Sequence, residues 1–288
     1  MRAGDVFVIE TPGGGGCGQP ERSGPALLAS GPESGDTWRM TRSVHLLRGL
    51  VPLLACAVVL ATLSVPARAQ SALTSFGSAG GAPQAPWKVI GLPNQTKPFT
   101  AFSVVDIDGK RAVKIVADES YGNLVHPVKM AAPAHLAWSW RVEKPLEQAD
   151  LREKRGDDTA VKVCVFFDMA MENVPFADRQ LLRLARSKTS DPVPTATICY
   201  VWDQKLPAGT AIDNAFTRRQ RYIVVESGND RLDKWVAEKR DLAADFTKLF
   251  SDENGQAVPA IVGIAVGADS DNTKAHSVSY VGGLVLEP

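Results

Sequence analysis

The chain has 288 residues, 44% of them hydrophobic, and its 32 Lys and Arg balance 32 Asp and Glu. Nucleic acid is therefore not an expected partner, because binding a phosphate backbone requires concentrated positive charge. The length allows one domain with a substantial core, and near-neutrality leaves glycans and proteins open as ligands.

Residues 1–39, with Gly13-Gly14-Gly15-Gly16 and scattered Pro and Ser, show no helical or strand period. They read as an untranslated or disordered extension ahead of a start at Met40. From there Arg42 and Arg48 precede an apolar core, Gly49 to Leu63, and Ala67-Arg68-Ala69 supplies the small residues a signal peptidase accepts. This is the anatomy of a signal peptide over 40–69, cleaved after Ala69, and it predicts a periplasmic or secreted protein. An uncleaved leader is the alternative, since the apolar run nearly spans a bilayer, and it is the sole expected link to a membrane. Leu53-Leu54-Ala55-Cys56 also looks like a lipoprotein box, although the run stays apolar past it. Residues 70–86 read as a flexible Ser/Gly/Ala/Pro linker, which leaves 87–288 as the folded domain.

Strand signals dominate that domain. Ala101 to Val105 and Ala112 to Val116 flank Asp108-Gly109, a pair that tolerates the positive φ angles of a tight hairpin turn. Further strands are predicted at 123–128, 135–142, 160–168, 196–202, 221–226, 235–239, 260–266 and 277–286. Two segments break the rhythm. Pro175 to Ser187 places Phe176, Leu181, Leu184 and Ala185 at helical spacing, and Asp241 can cap a second helix that gathers Leu242, Phe246, Leu249 and Phe250. Both are expected to pack against sheets. The predicted fold is mostly β: a single-domain β-sandwich or jelly roll with two short helices.

Cys164 and Cys199 each occupy the non-core face of a predicted strand. They can form a disulfide if those strands are neighbours with Cα atoms within roughly 7 Å, and otherwise remain two covered thiols.

Candidate chemistry is sparse. Asp269-Ser270-Asp271-Asn272-Thr273 is the densest run of oxygen ligands and could hold calcium, as could Asp157 and Asp158 if the fold brings the two loops together. The run fails the helix-loop-helix calcium pattern, with Lys274 where glycine is needed, and a loop whose Asx side chains bond their own backbone explains it equally. No motif requires a cofactor. Trp138 and Trp140 share a strand face and could stack sugar rings, although Leu136 and Val142 on that face favour a core role. Trp235, after Gly228-Asn229-Asp230, is the tryptophan expected nearest the surface. His276 and Tyr280 share a face of the last strand and are the candidate proton-transfer pair of a polysaccharide lyase, but four residues of strand set them roughly 13 Å apart. His126 and His135 read as structural. Arg179, Arg183 and Arg186 form a basic stripe that is either a solvated face or a site for an acidic polymer.

Lys154-Arg155-Gly156-Asp157-Asp158 before a Val-rich strand, Tyr200-Val201-Trp202, Val225-Glu226-Ser227-Gly228, Arg240-Asp241-Leu242-x-x-Asp245-Phe246, and Asp269-x-Asp271-Asn272-Thr273 followed by Tyr280 occur in this order. Together they resemble the bacterial exported family catalogued as domain of unknown function 3047, over roughly Trp87 to Leu286. The resemblance implies a single exported domain and transfers no catalytic residue. The basic helical segment between Asp168 and Ala196 departs from the pattern. The expected function is an envelope-associated protein that binds a glycan or another envelope component, with an enzyme acting on polysaccharide, a lyase or hydrolase, as the alternative.

Overall fold

The computed structural model describes residues 71–253 and 257–288. The expected extension at 1–39 and signal peptide at 40–69 lie outside the described residues. In chain order the elements are β1 (Lys88–Ile90), β2 (Ala101–Ile107), β3 (Lys110–Asp118), β4 (Tyr121–Met130), β5 (His135–Lys144), β6 (Thr159–Asp168), α1 (Phe176–Arg186), β7 (Ala196–Asp203), β8 (Ala211–Asp213), β9 (Gln220–Ser227), β10 (Val236–Asp241), α2 (Leu242–Phe250), β11 (Ala260–Asp269) and β12 (His276–Glu287).

The strands form two sheets, one of seven in the order β1-β4-β11-β6-β7-β9-β8 and one of five in the order β10-β5-β12-β3-β2. Neighbours run antiparallel except β7 and β9, which are parallel. This is a mostly β sandwich. The hairpin between β2 and β3 turns on Asp108 at φ 51° and Gly109 at φ 72°, the left-handed pair that a tight two-residue turn demands. Asp241 caps α2 by accepting hydrogen bonds from the backbone N–H groups of Ala243 and Ala244.

Alternation along each strand sends one face inward. From β5 come Leu136, Trp138, Trp140 and Val142, and from β7 come Ile198, Tyr200 and Trp202; all are buried. Trp138 lies 5.2 Å from Tyr200, and Trp140 lies 6.1 Å from Trp202, ring centre to ring centre. Burying each such ring stabilises the fold by roughly 1.5–3 kcal/mol. The two indoles proposed as sugar platforms are thus interior: rings packed between two sheets present no face to a ligand. The phenyl rings of Phe246 and Phe250 from α2 extend the core, with Phe167 of β6 against Phe246 at 4.7 Å.

A second apolar layer covers the outer face of the seven-stranded sheet, where Leu151 and Leu206 from loops lie over Val201, Tyr222 and Val224. Cys164 and Cys199 sit in this layer at directly opposed positions of β6 and β7 and are joined as a disulfide, Cα to Cα 4.0 Å.

The structure departs from the sequence pattern at two further places. Residues 71–86 are not a free linker: Leu73 and Phe76 are buried, Phe76 packs on Trp87 at 4.6 Å, and the Ala72 N–H donates to the Leu286 carbonyl of β12. Small-residue composition suggested flexibility, but two apolar anchors suffice to hold the segment down. In α1, Phe176, Leu181 and Leu184 face solvent, Ala185 is half-buried, and the buried residue is Leu182.

Candidate functional site

Antiparallel pairing of β6 with β11 sets Thr159 opposite Asp269, and pairing of β11 with β4 sets Asp269 opposite Tyr121. At the same end β12 begins at His276, opposite Asp118 of β3. Loops 97–100, 118–121, 156–159 and 269–276 therefore meet at one end of the sandwich. Both predicted acidic clusters, Asp157-Asp158 and Asp269 to Thr273, lie in this meeting point.

Each buried carboxylate there is claimed by an internal donor. Asp158 accepts from the Thr273 N–H and hydroxyl at 2.6 Å each, and from the Asn272 N–H and side-chain amide at 3.2 Å each. Asp269 accepts from the Thr159 N–H at 2.9 Å, the Thr159 hydroxyl at 2.6 Å and the Lys162 ammonium at 2.6 Å. Asp157 accepts from the Tyr222 hydroxyl at 3.1 Å and from the Asn214 amide. Asn272 in turn donates to the Asp157 carbonyl at 3.2 Å. Burial and the neighbouring Asp269 charge push the Asp157 carboxyl up to about 6, and the same two causes raise Asp158. Burial works against the Lys162 ammonium, yet Asp269, Tyr121 and Asp157 around it outweigh that penalty and hold its pKa above the ordinary lysine value. The Tyr121 ring covers the ammonium at 5.0 Å.

The calcium expectation meets a different arrangement. The oxygens of Asp157, Asp158 and Asp269 are directed at N–H, O–H and ammonium groups, and among the described residues no group of three His, Cys, Asp or Glu is placed to hold a metal ion. The loops converge, but as a hydrogen-bonded clasp joining β6, β11 and β12.

Asp271 is the exception. Its side chain is 6% exposed, one oxygen pairs with the Lys97 ammonium, and the buried Oδ1 has no partner among the described residues. It lines an open trough of about 430 Å³ together with Lys97, Pro98, Asp118, Glu119 and Lys274. Glu119 at φ 46° and Lys274 at φ 52° hold left-handed backbone, and both line the trough. Phe99, next to Pro98, is 54% exposed.

The other predicted residues lie apart from the clasp. His276 Nδ1 is 3.3 Å from Asp118 Oδ1 at the trough's edge, whereas Tyr280 donates to Glu143 at 2.7 Å on the outer face of the five-stranded sheet. Burial and then Glu143 push the Tyr280 phenol up to about 12. Trp235 is half-buried beneath the Lys110 ammonium at 4.9 Å. His126 is buried, with its ring nitrogens bonded to Thr74 and the Pro127 carbonyl.

Sequence reasoning missed Lys97, Lys162, Asn214 and Tyr222. It also missed Glu238 of β10, whose carboxyl burial and then the Glu226 charge push up to about 7. Lys162 alternates onto the non-core face of its strand, where a lysine ordinarily meets water, but here it is buried against Asp269 and the Tyr121 ring.

The sequence matches the family described as Protein of unknown function (DUF3047) over residues 85–285. The chain belongs to this family. In the DUF3047 chain, the matched span contains the whole clasp and trough. No curated protein matches it. Among solved structures it is similar to the enzymatically active domain of bacteriophage CBA120 tailspike protein 4, at 6% identity and TM-score 0.30, covering 70% of this chain and 19% of that one. It is also similar to the xyloglucanase domain of NopAA from Sinorhizobium fredii, solved with cellobiose, at 7% identity and TM-score 0.39, covering 74% and 99%. Endoglucanase 3 of Trichoderma harzianum, from family GH12, is similar at 7% identity and TM-score 0.33, covering 71% and 97%. At these scores none of the likenesses bears on what the DUF3047 chain binds.

Proposed function

We propose that this DUF3047 protein is an exported, envelope-associated binding protein whose ligand is a glycan held in the trough beside Asp271. The observation that carries the reading is Asp271 Oδ1, a buried acceptor without a partner among the described residues, on the wall of an open recess. Leaving such a group unsatisfied costs about 1–3 kcal/mol, and a turn of the Asp271 side chain toward the recess would bring it to a ligand hydroxyl that supplies the donor it lacks. Around it Lys97 and Lys274 offer donors while Asp118 and Glu119 offer acceptors, a balance suited to a neutral polyhydroxyl rather than a polyion. The exposed Phe99 ring gives an apolar face of the kind on which pyranose rings stack. Export rests on the leader sequence at 40–69.

The enzymatic alternative has less support. A general base must be deprotonated to act, and the Tyr280 phenol, pushed up to about 12, stays protonated at neutral pH. His276 and Tyr280 also engage different carboxylates.

A glycan array probed with the full chain tests the reading. Binding is expected, with loss in Lys274→Asn and Glu119→Asn, substitutions that keep a residue tolerant of left-handed backbone. A folded chain that binds no glycan, or one whose binding ignores both substitutions, would overturn it.

A further inference from the structure

In α1 three large apolar residues meet solvent. Phe176, Leu181 and Leu184 are 70%, 60% and 57% exposed, and at the helical repeat they fall on one face with Ala177 and Gln180, opposite the buried Leu182. Arg179, Arg183 and Arg186 run along one border of this stripe, and Lys188 follows the helix. None of these four cations makes an ion pair among the described residues. The acids beside them are used elsewhere: Asp178 turns inward to Arg219 at 3.0 Å, and Asp191 is held by Lys88 at 2.6 Å. Glu172, in the turn before the helix, is exposed. Arg179 lies 5.8 Å over the Phe176 ring, and Arg186 donates to the Val193 carbonyl, which keeps the helix seated on its loop.

An apolar stripe bordered by unpaired cations, on a helix held to the domain by its other face, has the chemistry of a segment that lies in a lipid interface. No helix among the described residues is long and apolar enough to cross a membrane, so the contact would be superficial. We infer that α1 docks on an anionic phospholipid surface, with Phe176, Leu181 and Leu184 entering the headgroup region and Arg179, Arg183, Arg186 and Lys188 meeting the phosphates. A second copy of the chain fits less well, because its own cations would oppose these across the interface. An acidic polymer would use the arginines and leave the apolar stripe in water. This inference is independent of the glycan reading, since α1 carries none of the trough residues.

The test is hydrogen exchange on the full chain with phosphatidylglycerol vesicles and with phosphatidylcholine vesicles, read at residues 176–186. Slower exchange is expected in that segment with the anionic vesicles alone, and any binding by the N-terminal leader leaves this local reading unaffected. Phe176→Gln/Leu181→Gln/Leu184→Gln alters only exposed side chains and is expected to weaken vesicle binding roughly tenfold for each large side chain withdrawn. Unchanged exchange with phosphatidylglycerol would overturn the inference. So would equal protection with phosphatidylcholine, or protection that appears without vesicles as protein concentration rises.

Discussion

The Lys162 ammonium donates to Asp269 at 2.6 Å with both side chains almost wholly buried, at 2% and 5% exposed. Lys162 leaves β6 on the face away from the core, Asp269 ends β11, and the pair ties the two strands together beneath the Tyr121 ring. Replacing one partner of such a pair strands the other charge away from water, at a cost of about 3–5 kcal/mol. Lys162→Met is expected to lower stability by that amount in urea unfolding. A change below about 1 kcal/mol would mean that the Thr159 donors alone satisfy Asp269.

Glu238 makes stability depend on pH. Its carboxyl is raised from 4.5 to about 7 by burial and by Glu226, so the folded protein keeps a proton that the unfolded chain releases. Stability from this proton is complete below pH 4.5, falls as pH rises from 4.5 towards 7, and is absent above that. Glu238→Gln removes the titration. Discounted for partial exposure, the variant should be more stable than the parent by about 1–2 kcal/mol at pH 8, with the difference closing near pH 4.5. Thermal melts at the two pH values check this, and a difference that does not depend on pH would refute it.

The Cys164–Cys199 bridge closes a loop of sequence separation 35. Such a closure is worth about 2–4 kcal/mol. Reductant is therefore expected to lower the melting temperature of the parent to that of Cys164→Ala/Cys199→Ala, while leaving the double variant unmoved. A parent melt indifferent to reductant, with reduction verified by thiol counting, contradicts the expectation.

For a calcium ion to reach Asp158 it must displace the Thr273 and Asn272 donors. The melting temperature is accordingly expected to be the same with calcium and with chelator. An increase that saturates with calcium would show that the clasp opens to bind it.

Asp271 and Lys97 can be separated from the clasp by measurement. Asp271→Asn keeps the shape and removes the charge facing Lys97, and among the described residues the Asp271 side chain makes no other hydrogen bond or ion pair. Glycan affinity is expected to fall while stability changes by less than about 1 kcal/mol. An equal loss of stability and binding would make Asp271 a structural residue.

By itself the sequence determined what depends on near neighbours. The alternation of Val161, Val163, Val165 and Phe167 marked the core face of β6, Asp108-Gly109 marked a turn, and Asp241 marked the start of α2, because side-chain period, left-handed tolerance and capping each act within a few residues. It also marked Asp157, Asp158, Asp269 and Asp271 as polar clusters worth following. Only the tertiary structure decided that Thr159 and Asp269, 110 residues apart, face each other, that Asp269 and the Tyr121 ring bury Lys162, and that Trp138 and Trp140 meet a second sheet instead of a ligand. Strand order and register set those meetings, and a slip of one residue would send every side chain to the opposite face. The direction of α1 was likewise beyond the sequence: its pattern shows that the helix has an apolar side, but not whether that side meets the core or, as here, the water.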